Sequence, residues 1–322
     1  MRYRRFGSTE LTVSEIGFGC ARIGGLFQGA SQAETARLLH AALDAGITFY
    51  DTADMYVQGQ SERLLGSAFR GRRHDVVIAS KVGYRFSSQR RLLARVKPLV
   101  KPLVQKLGIE RQRVPSSMLS SVPAQEFSPA YITAMVEGSL QRLQTDYLDI
   151  YQLHSPPLEV IQRGEFVETL DKLEQQGKIR YWGIACDEAE DGVASLEYAG
   201  VASIQVGLSL LHQEALAEAI PRAHARGVGV IARQAFASGL LTKRPEDVPS
   251  EHLAIEPAAA ERRRAGIASY ARQAEQRGLT LPAMALHFAL DQPGVSVALV
   301  GMYRRQHLDQ CLSYLAQRPS AA

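Results

Sequence analysis

Ile47-Thr48-Phe49-Tyr50-Asp51-Thr52-Ala53-Asp54-Met55-Tyr56 follows Asp44-Ala45-Gly46. Gly46 ends a helix, and the β-rich apolar run from Ile47 to Tyr50 reads as a buried strand. Its carboxyl end delivers Asp51 and, five residues on, Tyr56. Val76-Val77-Ile78-Ala79-Ser80 runs into Lys81 in the same way, and Leu148-Asp149-Ile150-Tyr151-Gln152-Leu153 runs into His154. In a parallel barrel the carboxyl ends of all strands open on one face. Asp51, Tyr56, Lys81 and His154 are therefore expected to converge, although they lie far apart in the chain.

The rest of the chain repeats this rhythm. Residues 3–6 and 11–13 flank Gly7-Ser8-Thr9-Glu10 and predict an N-terminal β-hairpin. Barrel strands are predicted at 15–19, 47–50, 76–80, 148–153, 179–185, 203–206, 228–232 and 297–300. Ser31, with Glu34 three residues later, is a capping box for the first helix, and Ser128-Pro129 opens the helix that runs to 143. Further helices are predicted at 61–69, 166–176, 191–198, 214–226, 259–277, 282–290 and 305–317. Strand and helix alternate throughout, which predicts a single (β/α)8 TIM barrel domain over 1–322, with the hairpin at its start and long loops on the catalytic face. Between 84 and 127 the alternation stops, an insertion after the third strand longer than ordinary connections. Such a loop on the catalytic side shapes substrate access.

Composition sets outer bounds. The 322 residues are 46% hydrophobic and 22% charged, with a net charge of +4. The arginine clusters at 70–73, 90–91 and 262–264 read mostly as solvated loops and helix faces. No basic stripe interleaved with aromatics points to nucleic acid. No apolar run approaches a membrane span, and Met1-Arg2-Tyr3-Arg4-Arg5 leads into no signal core, so neither secretion by signal peptide nor a membrane role is expected. Cys20, Cys186 and Cys311 form an odd, sparse set without metal-ligand spacing, as expected of a reduced cytoplasmic protein holding no metal. No Gly-x-Ser-x-Gly elbow is present for a Ser-His-Asp hydrolase. Oligomeric state is not legible.

Asp-Thr-Ala-Asp-Met-Tyr (51–56), Ser-Lys-Val-Gly (80–83) and Thr-Asp-Tyr-Leu-Asp-Ile-Tyr-Gln-Leu-His (145–154), in this order, resemble the aldo-keto reductases. The likeness runs from Arg5-Phe6-Gly7 to the last helix. It implies reduction of a carbonyl by hydride from a nicotinamide, with a small aldehyde or ketone as partner. Tyr56 is then the general acid. A phenol has a reference pKa of about 10 and is a poor acid at neutral pH unless a cation favours the phenolate. Lys81 supplies that cation, Asp51 fixes Lys81, and His154 orients the carbonyl or helps relay the proton. Taken singly, these are a loop tyrosine, a structural ion pair and a core histidine. The set at three strand ends carries the reading.

The cofactor contacts that the resemblance implies are less regular. The first strand's end places Gly19 and Cys20 beside the cofactor, and Asp51 lies there too. The family's Ser-Asn pair after the fifth strand is replaced by Ala185-Cys186, a methyl and a weak thiol. Gln205, after the sixth strand, is retained. Arg233 stands where an aromatic often stacks on the nicotinamide, with Phe236 nearby. Ala237-Ser238-Gly239-Leu240-Leu241-Thr242-Lys243 matches the loop over the pyrophosphate, which implicates Ser238 and Leu240. After the eighth strand Gly301 is retained, Met302 and His307 replace usual residues, and Cys311 replaces an Asn. Arg304 and Arg305 remain to pair with the 2′-phosphate at a helix start. NADPH is therefore expected over NADH. Trp182, beside the altered pair, is expected to report binding. The irregular contacts leave two alternatives: the tetrad used for non-redox elimination or epimerisation, and a nucleotide-sensing regulatory subunit.

Overall fold

The computed structural model describes residues 1–24, 30–85, 124–248 and 256–318. A short antiparallel pair comes first, β1 (Tyr3–Arg5) against β2 (Thr12–Ser14), with Tyr3 opposite Ser14. Eight strands then close a barrel. They are β3 (Ile16–Gly19), β4 (Phe49–Asp51), β5 (Val77–Val82), β6 (Leu148–His154), β7 (Ile179–Ala185), β8 (Val201–Gly207), β9 (Gly229–Arg233) and β10 (Val295–Gly301), neighbours in that order, with β10 beside β3. Helices α1 (Gln32–Asp44), α2 (Gln60–Ala68), α3 (Pro129–Leu143), α4 (Leu158–Arg163), α5 (Val167–Gln175), α6 (Ala189–Ser195), α7 (Ala219–Ala225), α8 (Pro257–Gln276), α9 (Leu281–Asp291) and α10 (Arg305–Ala316) alternate with the strands or follow them. The TIM-barrel fold expected from the alternation is the fold observed.

Contacts group the chain into two compact units, one of residues 1–17, 183–300 and 306–322, the other of 18–182 and 301–305. In the second unit, local sequence sets the helix starts. Ser31 Oγ accepts the Glu34 N–H at 3.1 Å while the Glu34 carboxylate takes the Ser31 N–H at 2.7 Å, so the capping box is complete. Ser128 accepts the Tyr131 N–H, and Pro129 follows where a missing N–H costs nothing. Strand β5 pairs in register with both neighbours: Asp51 lies opposite Ala79, and Lys81 opposite Gln152. That register sets the acid and the cation at the same end of adjacent strands.

In the first unit, Gly183 on β7 faces Ser203 on β8 so closely that a Cβ would lie 2.1 Å from the Ser203 carbonyl oxygen. Arg318 donates to Glu15 at 2.6 Å and also pairs with Asp291, while Arg4 donates to the carbonyl of Val295 at 2.7 Å. These ties hold the segment after the last helix to the start of β3, and the hairpin to the start of β10.

Two expectations need correcting, and one helix is additional. The helix predicted at 214–226 is a turn at 214–216 followed by α7, because Pro221 lacks an N–H and its ring would clash with the Ala217 carbonyl in a continuous helix. Helix α4 was not expected. Arg73 is no solvated charge: it pairs with the buried Asp149 at 2.7 Å and lies over the Tyr147 ring. Most of the 84–127 insertion, residues 86–123, lies outside the described residues. Its ends meet, with Tyr84 bridged to Gln125 and the Arg85 N–H donating to the Ala124 carbonyl at 2.7 Å.

Candidate active site

Lys81 is fully buried, as befits a residue on an inner strand of a barrel, and its ammonium has three acceptors. It donates to the two Asp51 carboxylate oxygens at 2.6 and 2.7 Å and to the Thr52 carbonyl at 2.9 Å. Burial alone would lower the Lys81 pKa, but the Asp51 charge and the Tyr56 hydroxyl more than offset it, so the value stands raised. The strand end thus holds a lysine whose charged form is favoured. Its nitrogen lies 5.1 Å from the centre of the Tyr56 ring. The Tyr56 ring meets the His154 ring edge-on at 5.6 Å, and Tyr84 meets the same imidazole from another side at 5.0 Å. Asp51, Tyr56, Lys81 and His154 are therefore one cluster.

The loop that carries Tyr56 is pinned to the strands beside it. Thr52 N–H donates to the Ala79 carbonyl at 2.8 Å and Asp54 N–H to that of Lys81 at 3.2 Å. Thr52 and Ser61 hydroxyls join at 2.8 Å, and Ser61 donates to the Cys20 carbonyl. Directly after Tyr56 the backbone turns left-handed at Val57 (φ 50), Gln58 (φ 59) and Gly59 (φ 79). Each non-glycine residue there costs about 1–2 kcal/mol, more for a β-branched one, so surrounding contacts must hold this turn.

Residues 84 and 125 escaped the sequence reading. Tyr84 follows Lys81 by three positions and could have been noted as an aromatic at a strand end. Gln125, which donates to the Ser155 carbonyl at 2.7 Å, gave no signal.

The expected cofactor residues are placed as follows. In the unit of 18–182 and 301–305, Gly19 ends β3, and the fully buried Cys20 thiol points at the Phe18 carbonyl. Gly301 is exposed and Met302 is buried. The Tyr303 ring lies 6.0 Å from the Arg22 guanidinium and 5.8 Å from that of Arg304, and Arg305 opens α10. In the other unit, Ala185 is buried, and the Cys186 thiol turns to the Ile184 carbonyl and to Ser195 on α6. Burial pushes that thiol's pKa up to about 12, so it stays neutral. Gln205 is buried, with its carbonyl accepting the Cys186 N–H. Arg233 donates to the Cys186 carbonyl at 2.7 Å and pairs with Asp187. Phe236 packs edge-on against Tyr314, Ser238 is exposed and left-handed, and Leu240 is buried. His307 is partly buried, and Cys311 is buried with its pKa pushed up to about 12. Trp182 donates to Asp171 on α5 at 2.8 Å.

The model of the Aldo/keto reductase family matches residues 15–321. The chain belongs to the aldo/keto reductase family. The chain is 30% identical to the oxidoreductase YqkF of Bacillus subtilis over 318 residues, covering 96% of this chain and 89% of that protein. Its fold matches the holo form of aldo-keto reductase AKR11C1 from Bacillus halodurans with a TM-score of 0.76 and 29% identity, covering all of this chain and 93% of that one. It matches the glycerol dehydrogenase AKR11B4 from Gluconobacter oxydans with a TM-score of 0.76 and 26% identity, covering 99% and 91%. The protein is an NAD(P)H-dependent oxidoreductase. No helix among the described residues is long and apolar enough to cross a membrane, and they contain no cluster of three or more side chains able to hold a metal. A phosphate-bearing nucleotide fits the cationic pile of Arg22, Tyr303 and Arg304 at the start of α10, where helix N–H groups also favour anions.

Proposed function

We propose that this reductase converts an aldehyde or ketone to the alcohol with NADPH, using Tyr56 as the general acid. The observation that carries the reading is the fully buried Lys81 ammonium, clamped by Asp51 and set under the Tyr56 ring. A bound reduced nicotinamide supplies the hydride. As the carbonyl carbon is reduced, negative charge gathers on its oxygen, and Tyr56 donates its hydroxyl proton there. The phenolate left behind is favoured by Lys81, whose charge Asp51 keeps in place. His154 holds the carbonyl oxygen by a hydrogen bond. General acid catalysis of this kind is worth about 10²–10⁴ in rate. A preorganised donor to the developing oxyanion contributes about 10²–10³ more.

Arg304 and Arg305 are the proposed readers of the 2′-phosphate, which makes NADPH the preferred cofactor. Gly19, Cys20, Gln205, Arg233, Phe236, Ser238, Leu240, Gly301 and His307 carry over as proposed cofactor contacts. Ala185, Cys186, Met302 and Cys311 are kept as positions whose side chains supply no strong hydrogen bond. The single-domain reading and a cytoplasmic location belong to the same proposal, the latter supported by three free, buried cysteines.

The test is NADPH oxidation by the purified protein against a panel of aromatic and aliphatic aldehydes and ketones. Stoichiometric appearance of the alcohol is expected. Tight NADPH binding with no aldehyde or ketone reduced would overturn the proposal.

A further inference from the structure

The loop that presents Tyr56 holds a second acid, which the reaction above does not use. Asp54 is 0% exposed, and neither carboxyl oxygen has a hydrogen-bond partner. Its backbone N–H donates to the carbonyl of Lys81, so its main chain is tied to the residue that bears the cation. The charged and titratable groups facing Asp54 come from four elements. Glu62 on α2 is fully buried and accepts from Ser80 at 2.6 Å and from Arg142 on α3 at 2.5 Å. Lys81 on β5 is engaged by Asp51. Tyr151 on β6 is fully buried, its hydroxyl without a partner, and it feels Asp54, Glu62, Arg142 and Tyr131. Both cations in reach are thus committed to other carboxylates, and an ionised Asp54 would be a buried charge without compensation. Burial first, and then the Glu62 charge, hold the Asp54 carboxyl well above the usual range, and the Arg142 and Lys81 charges do not make up the difference.

We propose that Asp54 is a positioning residue for Tyr56: buried within the loop, with its main chain tied to Lys81, it locks residues 52–59 in the strained turn that brings the phenol to Lys81. The far end of the loop is closed by the same layer, since a Cβ on Gly59 would lie 2.7 Å from the Arg142 side chain. The left-handed Val57 and Gln58 relax unless both ends are held. The inference rests on the reading of Tyr56 as proton donor.

The sign of the pH effect follows from linkage. A carboxyl raised in the fold keeps a proton that the unfolded chain releases. Its contribution to stability is therefore whole below the unfolded carboxylate pKa and is lost as pH rises toward the folded value. Asp54→Asn, the shape of the neutral acid, removes that loss.

Three measurements on the full chain test the proposal. Difference infrared spectra of the wild type minus D54N at neutral pH should show a carboxylic-acid C=O band; a carboxylate band instead overturns it. The tyrosinate absorbance titration of Tyr56, isolated by subtracting Tyr56→Phe in each background, should be unchanged in D54N and moved to higher pH in Asp54→Ala. Aldehyde reduction should keep kcat within about threefold in D54N and lose at least about tenfold in D54A, with KM changed by less than about threefold. An unshifted Tyr56 titration in D54A overturns the proposal. If D54A does not fold, D54N decides alone: loss of its Tyr56 titration or of its rate overturns it. The infrared and titration results stand without turnover, so a wild type that reduces no aldehyde would sink the reductase reading and leave the Asp54 assignment intact. An active enzyme indifferent to D54A would do the reverse.

Discussion

Replacing Lys81 by Met removes the buried cation and keeps most of the side-chain volume. The carboxylate of Asp51, whose side chain is only 5% exposed, is then left without its partner. Three hydrogen bonds to a charged group are lost at once, at 2.6, 2.7 and 2.9 Å. Breaking a buried pair from one side costs about 3–5 kcal/mol. An unfolding entropy of about 2.1 cal/mol/K per residue over 322 residues is about 0.7 kcal/mol/K, so the melting temperature should fall by about 4–7 °C. The double variant Asp51→Asn/Lys81→Met removes both charges and should recover at least about half of that loss, as expected when both partners of a buried pair are replaced. Thermal melts followed by circular dichroism read all four corners of the cycle. The raised Lys81 pKa adds a pH signature. The pair's stabilisation is whole below the unfolded lysine value of 10.5 and is lost as pH rises through the folded value, so the gap between wild type and K81M should be constant at neutral pH and narrow in strong alkali. A K81M melt within about 1 °C of wild type, or a double variant as unstable as the sum of the singles, would refute the reasoning.

Two further predictions concern other parts of the chain. Arg304→Ala/Arg305→Ala should weaken NADPH binding by about tenfold or more while changing NADH by less than about threefold, read by calorimetry; parallel losses would remove both residues from the 2′-phosphate. Gly183→Ala would set a methyl 2.0 Å from the Ser203 hydroxyl oxygen and 2.1 Å from its carbonyl, which backbone cannot yield to, so about 3 kcal/mol or more should be lost in a denaturant titration.

The parts of this protein legible in the sequence are those where local chemistry and tertiary demand agree. The β-branched run before Lys81, the capping box at Ser31 and the Ser128-Pro129 start each need no partner to be recognised, and each appears in the structure. The helix at 214–226 failed because hydrophobic periodicity runs on across Pro221, while the missing N–H breaks the backbone ladder. Side-chain direction is what the sequence withholds. Cys186 reads as a replacement for a cofactor ligand, yet its thiol faces Ser195; Trp182 reads as a reporter, yet its indole faces Asp171. Tyr84 and Gln125 reach His154 and Ser155 through a bridge between the ends of a long insertion, a pairing no periodicity encodes. Asp54 looked like one more polar residue in a motif, and only its burial among Glu62, Arg142 and Tyr151 gives it a role.

The central claim is that Tyr56 donates the proton while the rest of the cluster prepares it, and Tyr56→Phe isolates that proton, since it leaves the ring against His154 and removes only the hydroxyl. NADPH affinity by calorimetry and aldehyde reduction by NADPH consumption should be measured on the same preparation. The account predicts binding within about threefold of wild type and a rate lower by about 10² or more. A variant that binds NADPH and reduces the aldehyde at the wild-type rate would contradict it.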